Sequence, residues 1–180
     1  SYRTVNVWNG SEFSPVEVVK TGVDQELVEV YTSDGMSLKC TPYHKFYVVT
    51  DNGTITKEAR ELCKDDILES AKYWPLINGL DKMEKDQAIE LGIETGMNSL
   101  RIEENTSDHF NLFIPLNYSL QSKMNWLSGF MEPYVCEIEE KNENQIEIPC
   151  KYLYFLQDLK LMLQTCGVNT VIRKELTQYT

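Results

Sequence analysis

Turn signals cut the first third of the chain into short pieces. Asn9-Gly10, Ser33-Asp34-Gly35 and Asp51-Asn52-Gly53 each supply residues that tolerate the left-handed backbone of tight hairpins. Runs of β-forming residues flank them: Val5 and Val7 alternate before the first turn and Val16 to Thr21 follow it. Leu27 to Thr32 and Met36 to Cys40 bracket the second, and Phe46 to Thr50 precedes the third. This spacing predicts short strands joined by hairpins from Tyr2 to about Leu68, with Asn9-Gly10 as a two-residue type I′ turn.

The pattern changes after that point. Between Tyr73 and Asp108 the charged stretches Lys82-Met83-Glu84-Lys85-Asp86 and Arg101-Ile102-Glu103-Glu104-Asn105 read as a connector or an exposed helix. From about Ser119 the apolar residues Leu120, Met124, Leu127 and Met131 recur at helical spacing. Val135 to Glu139 and Gln145 to Ile148 alternate as strands around the polar turn Lys141-Asn142-Glu143-Asn144, which predicts a hairpin. A second helix is expected over Tyr152 to Thr165, with Phe155, Leu156, Leu159 and Leu163 on one face and a stop at Gly167. A last strand is expected over Val168 to Leu176. The predicted organisation is a mainly β part over 1–72, a linker over 73–109 and an α+β module over 110–180.

Bulk properties narrow the function classes. The 180 residues are 42% hydrophobic, enough for a buried core, and carry a formal charge of −11 from 28 acids and 17 bases. Such a surface repels phosphate backbones and anionic membranes. The five cysteines (Cys40, Cys63, Cys136, Cys150, Cys166) form no Cys-x-x-Cys pair, which argues against a zinc site or a disulfide framework and fits a reducing, intracellular setting. No run approaches the roughly 18 apolar residues of a membrane helix, and Ser1-Tyr2-Arg3-Thr4 lacks the order of a signal peptide.

One of the two histidines stands in an unusual place. Thr41-Pro42-Tyr43-His44 lies between two apolar strands, with a hydroxyl and an imidazole three positions apart across a proline. Breaking a peptide bond requires weakening its resonance and protonating the departing nitrogen. An imidazole can do the second and a neighbouring hydroxyl can orient the same peptide, while Pro42 fixes the backbone that makes them converge. Taken alone, Thr-x-x-His is equally what a turn leading into a strand requires.

The flanking segments Val7-Trp8-Asn9-Gly10, Phe13-Ser14-Pro15-Val16, Val19-Lys20-Thr21-Gly22, Leu38-Lys39-Cys40-Thr41-Pro42-Tyr43-His44-Lys45-Phe46 and Ala59-Arg60-Glu61-Leu62-Cys63-Lys64-Asp65-Asp66-Ile67-Leu68 resemble the splicing domain of inteins. The likeness covers most of residues 5 to 68 and looks closest to inteins of ribonucleotide reductase large subunits in large DNA viruses and algae. It implies a Hint fold, a horseshoe of long curved antiparallel strands, incomplete here. Carried over, Thr41 and His44 would bind and polarise the amide at the upstream splice junction. Asp66 falls in the family's Gly-Asp pattern, with Asp65 in place of the glycine, and is open to a catalytic or a structural role. Splicing needs no cofactor. The family starts with an upstream cysteine or serine and ends with a His-Asn pair. Ser1 is too close to Trp8 to be that nucleophile, and Asn169-Thr170 follows Val168 where histidine is wanted. The expectation is therefore an intein's interior that needs missing amino- and carboxyl-terminal segments and a flanking host protein, and does not splice alone.

Trp126-Leu127-Ser128-Gly129-Phe130-Met131-Glu132-Pro133-Tyr134-Val135 resembles the LAGLIDADG helix of homing endonucleases, with Ile114 to Ser119 before it and Leu159 to Asn169 after it. In that family two such helices pack through small residues, and acids near their ends hold a divalent metal against the scissile phosphate. Here Ser128 and Gly129 match the small residues, Tyr134 stands where the metal-binding acid would be, and Glu132 reads as a surface residue at the helix end. Tyrosine is no ligand for Mg2+. Glu137, Glu139, Glu143 and Glu147 crowd the predicted hairpin, and from Ser119 to Thr180 six bases face eight acids. The module is expected to be a degenerate endonuclease with vestigial DNA binding, needing Mg2+ only if active. A duplex-cutting endonuclease is the alternative reading; a non-catalytic interaction domain and a hedgehog-like autoprocessing domain are others. Trp8, Trp74 and Trp126 read as core, Cys40 and Cys63 as packing, and His109 as an exposed linker residue.

Overall fold

A computed structural model describes residues 3–9, 12–70, 76–101, 112–141 and 147–173. Ser1, Trp74, His109 and Glu143 lie outside them. The chain divides into two compact units, Ser1–Val30 with Leu38–Glu69, and Tyr31–Ser37 with Ser70–Thr180. The described residues form several small antiparallel sheets and three helices, an α+β arrangement.

In the first unit β1 (Arg3–Trp8) and β2 (Phe13–Val18) pair antiparallel. Their register sets Trp8 opposite Phe13, so the connection is the four residues 9–12, and not the two-residue type I′ turn that Asn9-Gly10 suggests. The Asn9 side chain accounts for the longer loop: its amide oxygen accepts the Glu12 N–H at 3.0 Å and its amide nitrogen donates to the Ser14 hydroxyl at 2.8 Å. β3 (Val28–Tyr31) pairs with β4 (Ser37–Cys40). β5 (Lys45–Thr50) is the centre of a three-stranded sheet between β6 (Gly53–Glu58) and β7 (Ile67–Leu68). Here the turn chemistry works as read: Thr50 pairs with Gly53 across Asp51-Asn52, and Gly53 takes the positive φ of 111° that a side chain would resist. The longest strand described has six residues.

In the second unit α1 (Lys85–Arg101) packs on α2 (Leu120–Lys141), and α3 (Leu153–Thr165) closes the core. Ala88, Trp126, Phe130, Tyr134, Phe155, Leu159, Met162 and Leu163 are the buried cluster. α1 occupies the stretch whose composition suggested a connector or an exposed helix, and it is half inside, with Ala88, Thr95 and Ser99 buried. Its approach to α2 is unusually close. A Cβ added at Gly92 would lie 2.1 Å from the Trp126 carbonyl oxygen, and one at Gly129 would lie 2.2 Å from that of Ile89. Each helix thus sets a glycine against the carbonyl three residues before the other's glycine.

Two predicted strands do not form among the described residues. Val135 to Glu139 continues α2 through Pro133 to Lys141, so there is no strand to form the first arm of a hairpin. Extending an existing helix adds one hydrogen bond per ordered residue with no new nucleus, and Glu137, Glu139, Glu140 and Lys141 are good helix formers; a lone strand would need a partner. Residues 168–173 form no strand either. Their polar groups go elsewhere: Ile172 N–H donates to the Asp34 carbonyl at 3.0 Å, and the Lys160 ammonium donates to the Thr170 carbonyl. Lys160 also pairs with Asp34 at 3.0 Å, and the Gln157 amide donates to the Gly35 carbonyl at 3.1 Å, which fastens the 31–37 tip to α3 within this unit.

Gly129→Ala and Gly92→Ala should each destabilise the full chain by about 1–3 kcal/mol through overpacking. Ser128→Ala, at an exposed position, should change stability by less than about 0.5 kcal/mol. Urea unfolding followed by circular dichroism checks this, and equal midpoints for all three variants would contradict the close contact.

Candidate functional site

The Thr41–His44 segment is a closed turn. The His44 N–H donates to the Thr41 carbonyl at 3.0 Å. Two further amides hold it from the short 3-10 turn Ala59–Glu61 that follows β6: Arg60 N–H donates to the Pro42 carbonyl at 3.0 Å and Ala59 N–H to the His44 carbonyl at 2.8 Å. The turn's carbonyls at 41, 42 and 44 are therefore all engaged. The His44 side chain stays exposed, with its ring set edge-on to Phe46 at a centroid distance of 5.2 Å. Thr41 is half-buried, and Tyr43 donates its hydroxyl to the Gln25 amide oxygen at 3.1 Å. An imidazole on a fixed turn with its ring accessible can give or take a proton at a peptide brought to it.

Asp66 is placed differently. One carboxylate oxygen lies 2.6 Å from the Lys57 ammonium and the other accepts the Cys63 N–H at 2.7 Å. The Asp66 N–H returns to the Cys63 carbonyl at 3.1 Å, closing the 63–66 turn. The Lys57 ammonium, and after it the Cys63 amide, hold the Asp66 carboxyl below the ordinary aspartate range, and Asp66 in turn raises Lys57. Lys57 sits opposite Phe46 in the β5–β6 register, so Asp66 is tied to the strand that runs alongside the residues after His44. Lys57 and the Ala59 and Arg60 amides are partners that sequence reading misses. The Glu58 and Glu61 spacing carried a signal for the corner, since Glu61 caps the Glu58 N–H at 2.9 Å. Lys57 carried none, because its role depends on strand register.

In the second unit Gly129 lies in the helix contact, but Ser128 does not: it is exposed, and its hydroxyl donates to the Asn125 carbonyl at 2.7 Å on its own helix. Glu132 is exposed, in mid-helix and not at an end. Tyr134 is buried at 1% exposure, its hydroxyl 2.6 Å from that of Ser99. The partner helix lies in the stretch read as a connector or an exposed helix, and Gly92-x-x-x-Gly96 marks its contact face. With Gly92 matched to Gly129, Met97 stands where Tyr134 stands. Lys123 is fully buried and donates to the Ile77 carbonyl at 3.0 Å and the Thr165 hydroxyl at 2.8 Å; burial pushes its pKa down. Among the described residues no group of three or more His, Cys, Asp or Glu gathers to hold a metal ion, and no helix is long and apolar enough to cross a membrane. The side chains of Trp8, Glu137 and Glu139 lie outside the described set.

Replacing Asp66 by Asn should flatten the acid limb of stability. A carboxyl held below its unfolded value stabilises the fold above about pH 4, and the contribution is lost as pH falls through the lower folded value. Unfolding midpoints measured from pH 2 to 7 should fall more steeply with acid in the parent than in Asp66→Asn; parallel curves would refute the pairing.

The chain is similar to the ribonucleoside-diphosphate reductase large subunit of Invertebrate iridescent virus 6, with 29% identity over 221 residues. The match takes in 96% of this chain but 23% of that protein, so the chain spans under a quarter of its relative's length. No protein-family model matches the chain, and no solved structure matches it.

Proposed function

We propose that the chain is an internal part of a protein-splicing element lodged in a ribonucleotide reductase large subunit, and that the Thr41–His44 turn activates the amide at the upstream junction. The observation that carries this reading is the turn itself: an exposed imidazole on a backbone whose carbonyls at 41, 42 and 44 are each bound by an amide. The likeness to one stretch of a much longer viral large subunit supports it, since an insertion would match in that way.

The chemistry asked of the site is modest. A thiol or hydroxyl from a preceding segment adds to the carbonyl before it, the carbon–nitrogen bond breaks, and an ester or thioester forms. His44 delivers a proton to the departing nitrogen, and Thr41 orients the same peptide by hydrogen bonding. The host segments on either side and the remaining strands of the Hint fold are the partners this requires. The element acts once per molecule and uses no resident cofactor.

For the helical unit we propose descent from a paired-helix endonuclease without its chemistry. The glycine contacts between α1 and α2 support the kinship. Tyr134 and Met97, at matching places on the two helices, offer no carboxylate to a metal ion. Supercoiled DNA carrying the uninterrupted host gene should stay uncut with Mg2+ and the full chain; cleavage would favour the endonuclease reading.

Expression of the intact host polypeptide tests the splicing reading. The parent should yield a joined product lacking this chain, identified by intact mass. His44→Ala should lower the rate of upstream cleavage by about 10²-fold or more, the scale of a general acid, and Thr41→Ala by less. Equal yields from the parent and His44→Ala would end the assignment.

A further inference from the structure

We propose that Asp66 and Lys57 are positioning residues that hold the Thr41–His44 turn through the corner at the end of β6. On the splicing reading above, they act on the site without touching the reacting peptide.

Asp66 is badly placed to move a proton and well placed to hold a strand. Its two carboxylate oxygens are engaged by the Lys57 ammonium at 2.6 Å and the Cys63 amide at 2.7 Å. A carboxylate held by a cation and an amide is a weak base, since taking a proton would cost both contacts. What it does supply is a link between the 63–66 turn and β6. From Lys57 each following residue is bonded in sequence: the Glu58 N–H to the Glu61 carboxylate at 2.9 Å, the Ala59 N–H to the His44 carbonyl at 2.8 Å, and the Arg60 N–H to the Pro42 carbonyl at 3.0 Å. The last two bonds grip the turn on either side of Tyr43. A loosened β6 end would let the two amides drift, and the imidazole of His44 would lose its aim. An error of about 1 Å in such a placement slows reactions by as much as about 10²-fold.

The surroundings make this corner the place where a clamp is needed. Among the described side chains of the first unit only Cys40, Val48 and Ala59 are buried hydrophobics, so apolar packing gives the turn little support. An ion pair joined to a ladder of amides takes that part.

Two measurements on Asp66→Asn, Lys57→Met, the double variant and the charge-exchanged Lys57→Glu with Asp66→Lys test the proposal. The first is amide hydrogen exchange at Ala59 and Arg60 in the 180-residue chain, which needs no splicing. Both single variants should exchange roughly tenfold faster there, while the α1–α2 amides keep their protection. The second is the rate of upstream junction cleavage in the intact host polypeptide. Each single variant should be about tenfold slow, the double variant no slower than either, and the exchanged pair restored to within a few-fold, with the pH midpoint unmoved. Unchanged exchange in both single variants would overturn the clamp whatever the splicing result. Normal cleavage by Lys57→Met beside a dead Asp66→Asn, or a shifted pH midpoint, would overturn it in favour of Asp66 as a proton carrier. A parent that exchanges as expected but does not splice would instead overturn the splicing reading, and the positioning role with it.

Discussion

A side chain can be aimed only from backbone that has no other conformation open to it. In this protein that constraint is met by three hydrogen bonds, which take up the carbonyls of Thr41, Pro42 and His44. The scarce burial of the first unit is concentrated around the same place: Cys40 immediately precedes the turn, and Ala59 supplies one of the amides that grip it. Tyr47, Val49 and Ile67, by contrast, remain exposed on one face of the β6-β5-β7 sheet. Apolar faces on sheets this small are where further strands would gain most by packing.

The second unit is organised by the opposite kind of contact. Where Gly92 and Gly129 meet the facing carbonyls there is no room for a methyl group, so the two helix backbones approach more closely than helices bearing side chains could. That approach sets the aromatic ladder on α2, with Trp126 stacked on Phe130 at 4.9 Å and Tyr134 one turn further on. Several polar groups inside are given partners, while the buried Trp126 indole nitrogen has none among the described residues. Ser99 meets Tyr134, Lys123 meets a carbonyl and a hydroxyl, and Lys160 meets Asp34. Leaving any of these buried groups with no partner at all would cost more than a single such bond contributes.

How much of this was legible in the sequence depends on the range of the interaction involved. Gly53 closes its hairpin and Gly167 ends α3 because a positive φ is a local demand that a glycine announces. α3 was legible because Phe155, Leu156, Leu159 and Leu163 repeat at the helical period, and Met162 joins them in the core. Asn9-Gly10 misled about loop length, since the side chain of Asn9 reached Glu12, a competition that the dipeptide does not reveal. Val135 to Glu139 misled for a related reason: five alternating residues fit a strand, but residues 135 and 138 also fit a helix already under way. Thr41 and His44 stand at the two ends of one backbone turn. The partner of Asp66 depends on which residue of β6 faces Phe46, and no local pattern carries a register.

Tyr134 joins the two helices without a charged group. A carboxylate buried as deeply as this side chain, at 1% exposure, would be stable only beside a cation or a full set of donors. The tyrosine needs neither: its ring continues the ladder from Phe130, and its hydroxyl is satisfied by Ser99 on the facing helix. At this position the contact between α1 and α2 is held by packing and a neutral hydrogen bond. An acid in place of Tyr134 would carry its charge into the buried aromatic cluster and would oppose the fold.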